Sequence, residues 1–184
     1  MEEKTLSSSY LYKGKILTLR KDLVKTGNGV EATREIIEHH KAVVVIPVLN
    51  KDKVVLIKQY RKAVEAVLFE LPAGLLHEDE EPLIAAKREL AEETGFVSKE
   101  IIPLVNVYAS PGFTDEYMHF FLAFNLVEGE TNFDHDEYIE TYIVTIDEYE
   151  KMIMDGSIKD AKTVLGYFLL KNYLVHLDID SKGL

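Results

Sequence analysis

The chain of 184 residues and 21.0 kDa is 47% hydrophobic and 29% charged, an ordinary globular composition with length for one domain and a small appendage. Its 21 Lys and Arg stand against 32 Asp and Glu, a formal charge of −11, so long-range repulsion disfavours nucleic acid and anionic membranes as general partners. Cysteine is absent, which excludes disulfides, thiolate zinc sites and cysteine nucleophiles and fits a reducing cytoplasm.

The opening Met1-Glu2-Glu3-Lys4 does not read as a secretory signal. The longest strongly apolar run, Ala42 to Leu49, is far shorter than the roughly 20 residues that cross a bilayer. Residues 10–45 read as β structure, with Thr26-Gly27-Asn28-Gly29 as the turn between extended runs at Ile16–Val24 and Ala32–Ile37. Both runs are polar, so this pair is expected to lie against the rest of the fold or against a second copy of the chain. Val43–Ile46 and Val54–Ile57 read as buried strands around the turn-like Asn50-Lys51-Asp52. One clear helix follows, Pro82 to Thr94. Further strands are expected at Leu104–Tyr108, Tyr117–Val127 and Ile139–Ile146, and two helical stretches at about Glu148–Met154 and Asp160–Leu174. Strands around a helix, then strands and terminal helices, predict an α/β (α+β) mixed-sheet sandwich.

The central helix carries the chemistry. Pro82 presets φ in its first turn, and Gly95 stands where a left-handed cap belongs. At ~100° per residue, Leu83, Ala86, Leu90 and Thr94 share a face with Ile84 and Ala91 beside it, which predicts the buried stripe. Glu89, Glu92 and Glu93 fall on another arc, with Glu89 and Glu93 neighbours at i and i+4. Such a cluster is either a solvated acidic face or a site for a hard cation, which turns carboxylate repulsion into attraction. Oxygen ligands without cysteine favour Mg2+ or Mn2+ over zinc.

Gly74, five residues, Glu80, seven residues, Arg88-Glu89-Leu90, Ala91, Glu92-Glu93, Thr94 and Gly95-Phe96 resembles the Nudix box at every fixed position across 23 residues. The resemblance implies a Nudix hydrolase, a family of Mg2+-dependent enzymes that cleave nucleoside diphosphates linked to another group, with a Nudix-type mixed sheet sandwiched by helices. It implies two or more ions, with Glu89, Glu93 and the Ala73 carbonyl as ligands and Glu92 assisting. Arg88 and Glu80 are then a supporting pair that aims the carboxylates, and Gly74 and Gly95 shape the motif. Glycine at position 74 is expected to let the backbone turn tightly.

Outside the box, Ser110-Pro111-Gly112-Phe113-Thr114-Asp115-Glu116, Lys58-Gln59-Tyr60-Arg61 and Leu68-Phe69-Glu70-Leu71-Pro72-Ala73-Gly74 resemble ADP-ribose pyrophosphatases. That likeness implies Arg61 on the diphosphate and Glu116 on a ribose hydroxyl, with Glu70 either a substrate contact or a satisfied strand-end carboxylate. A chain of charge −11 needs a guanidinium as well as a metal to hold a diphosphate. The family also implies a late-loop carboxylate that activates water. The segment Asn132–Glu140 offers Glu137 first, then Asp136, Asp134 and Glu140, while His135 stands where some relatives carry an acid.

The expected reaction is hydrolysis of ADP-ribose to AMP and ribose 5-phosphate. The alternatives are another diphosphate substrate, such as NADH or a nucleotide sugar, or a Nudix module that binds without cleaving. The expected division is an N-terminal β region over 1–41 and the hydrolase domain over 42–184. The family implies a homodimer that exchanges the N-terminal region, with Arg20 and Arg34 there as residues that could cross into the partner's site.

Overall fold

The computed structural model describes residues 2–50, 52–129 and 138–181, with side chains to residue 176. Its elements in chain order are β1 (Lys4–Lys13), β2 (Leu17–Lys25), β3 (Glu31–His39), β4 (Ala42–Asn50), β5 (Lys53–Arg61), β6 (Ala66–Glu70), β7 (Ala73–Leu75), α1 (Pro82–Thr94), β8 (Phe96–Tyr108), β9 (Tyr117–Glu128), β10 (Ile139–Thr145), α2 (Ile146–Met154) and α3 (Ala161–Ser181). They form two compact units, Met1–Ala42 with Asn106–Met118, and Val43–Val105 with His119–Leu184.

The first unit holds an antiparallel sheet in the order β1-β2-β3. Leu19 pairs with Ile37 and Arg20 with Ile36 across β2 and β3, and Gly29 closes the hairpin with φ +85°, a value that suits glycine. All ten residues of β1 are exposed. That is why the sequence under-reads this strand, since Ser7-Ser8-Ser9 carries no buried face to alternate with. The loop Ser110–Glu116 belongs to the same unit, where the Phe113 carbonyl accepts from Ile37 N at 2.8 Å.

The second unit is built on a mixed sheet whose strands run β10-β5-β4-β9-β8, with β6 added to β5 and β7 to β4. Strand β4 is buried on both faces, which explains its unbroken apolar run. Val43 and Val45 pack with Ala85, Ala86 and Leu90 of α1 and Phe121 and Ala123 of β9. On the opposite face Ile46 meets α3 at Gly166, where an added Cβ would come within 3.5 Å of Ile46 and 2.2 Å of Leu71. The unit is thus a sheet between α1 and α3. Thr145 and Glu148 form a reciprocal capping box that starts α2 two residues before the expected boundary.

Helix α1 has the expected ends: Pro82 lies in its first turn, and Gly95 caps it at φ 73° with its N–H on the Ala91 carbonyl. Its buried face is the expected one at Ala86, Leu90 and Thr94 but not at Leu83 and Ile84. Ala85, Ala86, Glu89, Leu90, Glu93 and Thr94 are buried, whereas Leu83 and Ile84 are 39% and 54% exposed. The small side chains of Ala85 and Ala86 let the helix approach the sheet. Two glutamates follow them inward because partners at the 73–75 strand and on Arg88 offset their desolvation.

Candidate active site

Each carboxylate of the α1 cluster is held differently. Glu93, 5% exposed, accepts from the Ala73 N–H at 2.9 Å, tying the helix to the start of β7. Glu89, 8% exposed, accepts from Arg88 Nη1 at 2.6 Å, and its carboxyl lies against Gly74. Glu92 accepts from the same Nη1 at 3.0 Å and keeps about a third of its side chain in solvent. The wheel reading that placed all three on one outward arc therefore holds for Glu92 alone.

Arg88 is the hub. Its Nε and Nη2 bond both oxygens of Glu80 at 3.0 and 2.9 Å, and Nη2 also reaches the Leu75 carbonyl at 3.0 Å. The fork geometry fixes the guanidinium plane, so the nitrogen facing Glu89 and Glu92 has one direction. Arg88, helped by the His77 N–H at 3.0 Å, pulls the Glu80 carboxyl down to about 2. In return Glu80, with Glu89 and Glu92, raises the Arg88 pKa against the effect of its own burial.

Gly74 is required for space rather than for backbone freedom. It does not adopt a left-handed φ, so the expected tight-turn role is corrected. A Cβ built there would lie 2.0 Å from both Cδ and Oε1 of Glu89. Glycine here is the cradle that admits a carboxylate.

A second charged group adjoins this one. Arg61, the last residue of β5, donates from Nε and Nη2 to the two oxygens of Glu70, each at 2.7 Å. Glu70 is 1% exposed and also receives Lys162 Nζ. Burial alone would raise the Glu70 pKa, but Arg61 and Lys162 outweigh it and hold the carboxyl below its usual range. Arg61 is raised chiefly by its bond to Glu70, with Glu93 and Asp160 adding their fields.

Glu116 lies in the other unit, its carboxylate 4.0 Å from Nδ1 of His39. Glu140 sits on β10 opposite Lys58, exposed, with Tyr138 Oη donating to it at 3.1 Å. Asp134, His135, Asp136 and Glu137 lie outside the described residues. Lys162, Asp160 and Thr163 had no sequence signal beyond the Asp160-x-x-Thr163 start of a helix, because the Lys162–Glu70 contact spans 92 residues.

Among the described residues no three His, Asp or Glu side chains converge as a closed metal cage. The donors present do suit a hard cation of another kind. They are oxygen atoms only, two are nearly buried carboxylates, and a glycine is needed to make room for one of them. Mg2+ is held in this way, by one or two carboxylates with water and substrate phosphate completing the shell.

Comparison with known proteins agrees with this architecture. Residues 38–164 match the NUDIX domain and residues 3–37 the nucleoside diphosphate sugar hydrolase N-terminal domain. The chain belongs to the NUDIX family and is a Nudix hydrolase. It is 38% identical to an ADP-ribose pyrophosphatase of Bacillus subtilis (strain 168), over 95% of this chain and 96% of that one. It is also 38% identical to a methanol dehydrogenase activator of Bacillus methanolicus, over 95% and 97% of the two chains. A crystal structure described as an ADP compounds hydrolase shares the fold at a TM-score of 0.87 and 22% identity, covering 96% of each chain.

Proposed function

We propose that this hydrolase cleaves ADP-ribose to AMP and ribose 5-phosphate, with Mg2+ or Mn2+ as its metal, two or more ions per site, in the cytoplasm. The observation that carries the reading is the pair of nearly buried carboxylates, Glu89 and Glu93, one with its carboxyl against Gly74 and the other on the Ala73 N–H, with Arg61 at the end of β5 in the field of Glu93. Two anions that gather a cation beside a fixed cation are what a diphosphate bridge needs in a protein of charge −11. The substrate is supported by the relative named ADP-ribose pyrophosphatase.

Glu89, Glu93 and the Ala73 carbonyl would hold metal, which when bound neutralises and orients the diphosphate. Arg88 holds Glu89 and Glu92 in place through the plane it shares with Glu80. Arg61 directs onto the diphosphate its Nη1, which makes no hydrogen bond among the described residues. A water attacks one phosphorus, the bond from that phosphorus to the bridging oxygen breaks, and a carboxylate takes the water's proton. Glu137 is the base in this proposal, with Asp136, Asp134 and Glu140 its alternates and Glu92 assisting. Glu116 meets a ribose hydroxyl.

We also propose a homodimer through the N-terminal sheet. Among the described residues strand β1 pairs on one side only, with β2, and it exposes Leu6, Tyr10, Leu11 and Tyr12. Such an edge is normally covered or blunted. A panel of diphosphate-linked nucleotides with Mg2+, products identified by mass, tests the substrate. AMP and ribose 5-phosphate from ADP-ribose, faster than products from NADH or nucleotide sugars, is the expected result. Failure to cleave ADP-ribose would overturn the reading.

A further inference from the structure

The start of α3 touches the end of β6 and the residue after it, Glu70 and Leu71, at three places. Asp160 accepts from the Thr163 N–H at 2.9 Å and from its hydroxyl at 2.6 Å, which caps the helix. The Thr163 hydroxyl in turn accepts from the Leu71 N–H at 2.8 Å, a buried bond between the helix and the residue after β6. Gly166 packs against the Leu71 side chain with no room for a Cβ. Between these contacts Lys162 bonds Glu70 Oε2 and lies 3.0 Å from Asp160.

Arg61 holds the same carboxylate through both oxygens and shares Oε2 with Lys162. The turn that follows it, residues 62–65, is exposed, and its ion pair of Lys62 with Glu65 is largely in solvent. The hairpin tip therefore supplies little to aim the guanidinium. What aims it is Glu70, 1% exposed and with both oxygens committed. A buried carboxylate that loses one of two cations re-centres on the other, because it cannot turn to water instead.

We propose that Lys162 is a positioning residue for the hydrolytic reaction: from the first turn of α3 it fixes Glu70, and through Glu70 it sets the direction of the Arg61 guanidinium on the substrate diphosphate. The inference rests on the proposed role of Arg61. Lys162 does not touch substrate in this account. Its whole effect on catalysis passes through Arg61.

A double-mutant cycle tests this. Lys162→Met, Arg61→Ala and the double variant are compared for kcat/KM on ADP-ribose, or on whichever diphosphate-linked nucleotide the wild type turns over fastest. The same four proteins are compared in urea unfolding, which needs no substrate. Lys162→Met alone is expected to lower kcat/KM about tenfold, the size of one misdirected charge-assisted hydrogen bond, chiefly through KM. In the Arg61→Ala background the same change is expected to lower kcat/KM less than twofold, and Lys162→Arg to restore most of the loss. A purely structural lysine would lower stability without this dependence on Arg61. An unchanged kcat/KM in Lys162→Met, or losses that multiply in the double variant, would overturn the proposal. If another substrate replaces ADP-ribose, the substrate reading fails while the cycle still decides. If no nucleotide is cleaved, the role of Arg61 on a diphosphate fails and the proposal that rests on it is overturned.

Discussion

Replacing Gly74 by Ala isolates the cradle that admits Glu89. The new Cβ would stand 2.0 Å from Cδ and Oε1 and 2.4 Å from Oε2 of that carboxylate, whereas ordinary contact begins at 3.4 Å. The carboxylate must retreat by about 1.4 Å, and because Gly74 lacks a left-handed φ, alanine adds no backbone strain to confuse the result. A misplacement of about 1 Å at a reacting centre costs on the order of 100-fold in rate. Gly74→Ala is therefore expected to lose about 100-fold in kcat at saturating Mg2+ while remaining folded by circular dichroism. In a Glu89→Ala background, where the three nearest atoms to the new Cβ are gone, the same substitution should cost little more. The assay is steady-state hydrolysis of ADP-ribose by all three variants. A Gly74→Ala enzyme within threefold of wild type would refute the steric argument, as would a full further loss in the Glu89→Ala background.

Glu80 titrates near 2 when folded, below its usual 4.5, so the stability it contributes is present above pH 4.5 and is lost as pH falls toward 2. Melting curves across that window should show a steeper acid decline for wild type than for Glu80→Gln. Gly95→Ala places a side chain at φ 73°, which costs about 1–2 kcal/mol and should lower Tm by a few degrees in a chain of this size, read by calorimetry. Sedimentation of the full chain should give a dimer, and removal of residues 1–13, which carries away the exposed strand β1, should give a monomer.

Legibility followed burial and locality. Helix α1 was readable to the residue because its signals, Pro82 and Gly95, act on the adjacent backbone. Strands β4 and β5 were readable because burial on both faces leaves unbroken apolar runs. The box spacing marked Glu80, Arg88, Glu89, Glu92 and Glu93 at once. The inward face of α1 was readable at Ala86, Leu90 and Thr94 but not at the glutamates, since Glu89 and Glu93 go inside only because Ala73 and Arg88 meet them there. Strands β6 and β7, of five and three residues, are too short for a period to show. The Glu70–Lys162 bond joins positions that no local pattern relates.

Glu93 bears most directly on the claim that the α1 carboxylates gather a divalent cation for diphosphate hydrolysis. Glu93→Gln keeps an oxygen for the Ala73 N–H but removes the charge. The account predicts that its Mg2+-dependent turnover of ADP-ribose falls at least about 100-fold with little change in KM. A Glu93→Gln protein that hydrolyses ADP-ribose at the wild-type rate with Mg2+ would contradict it.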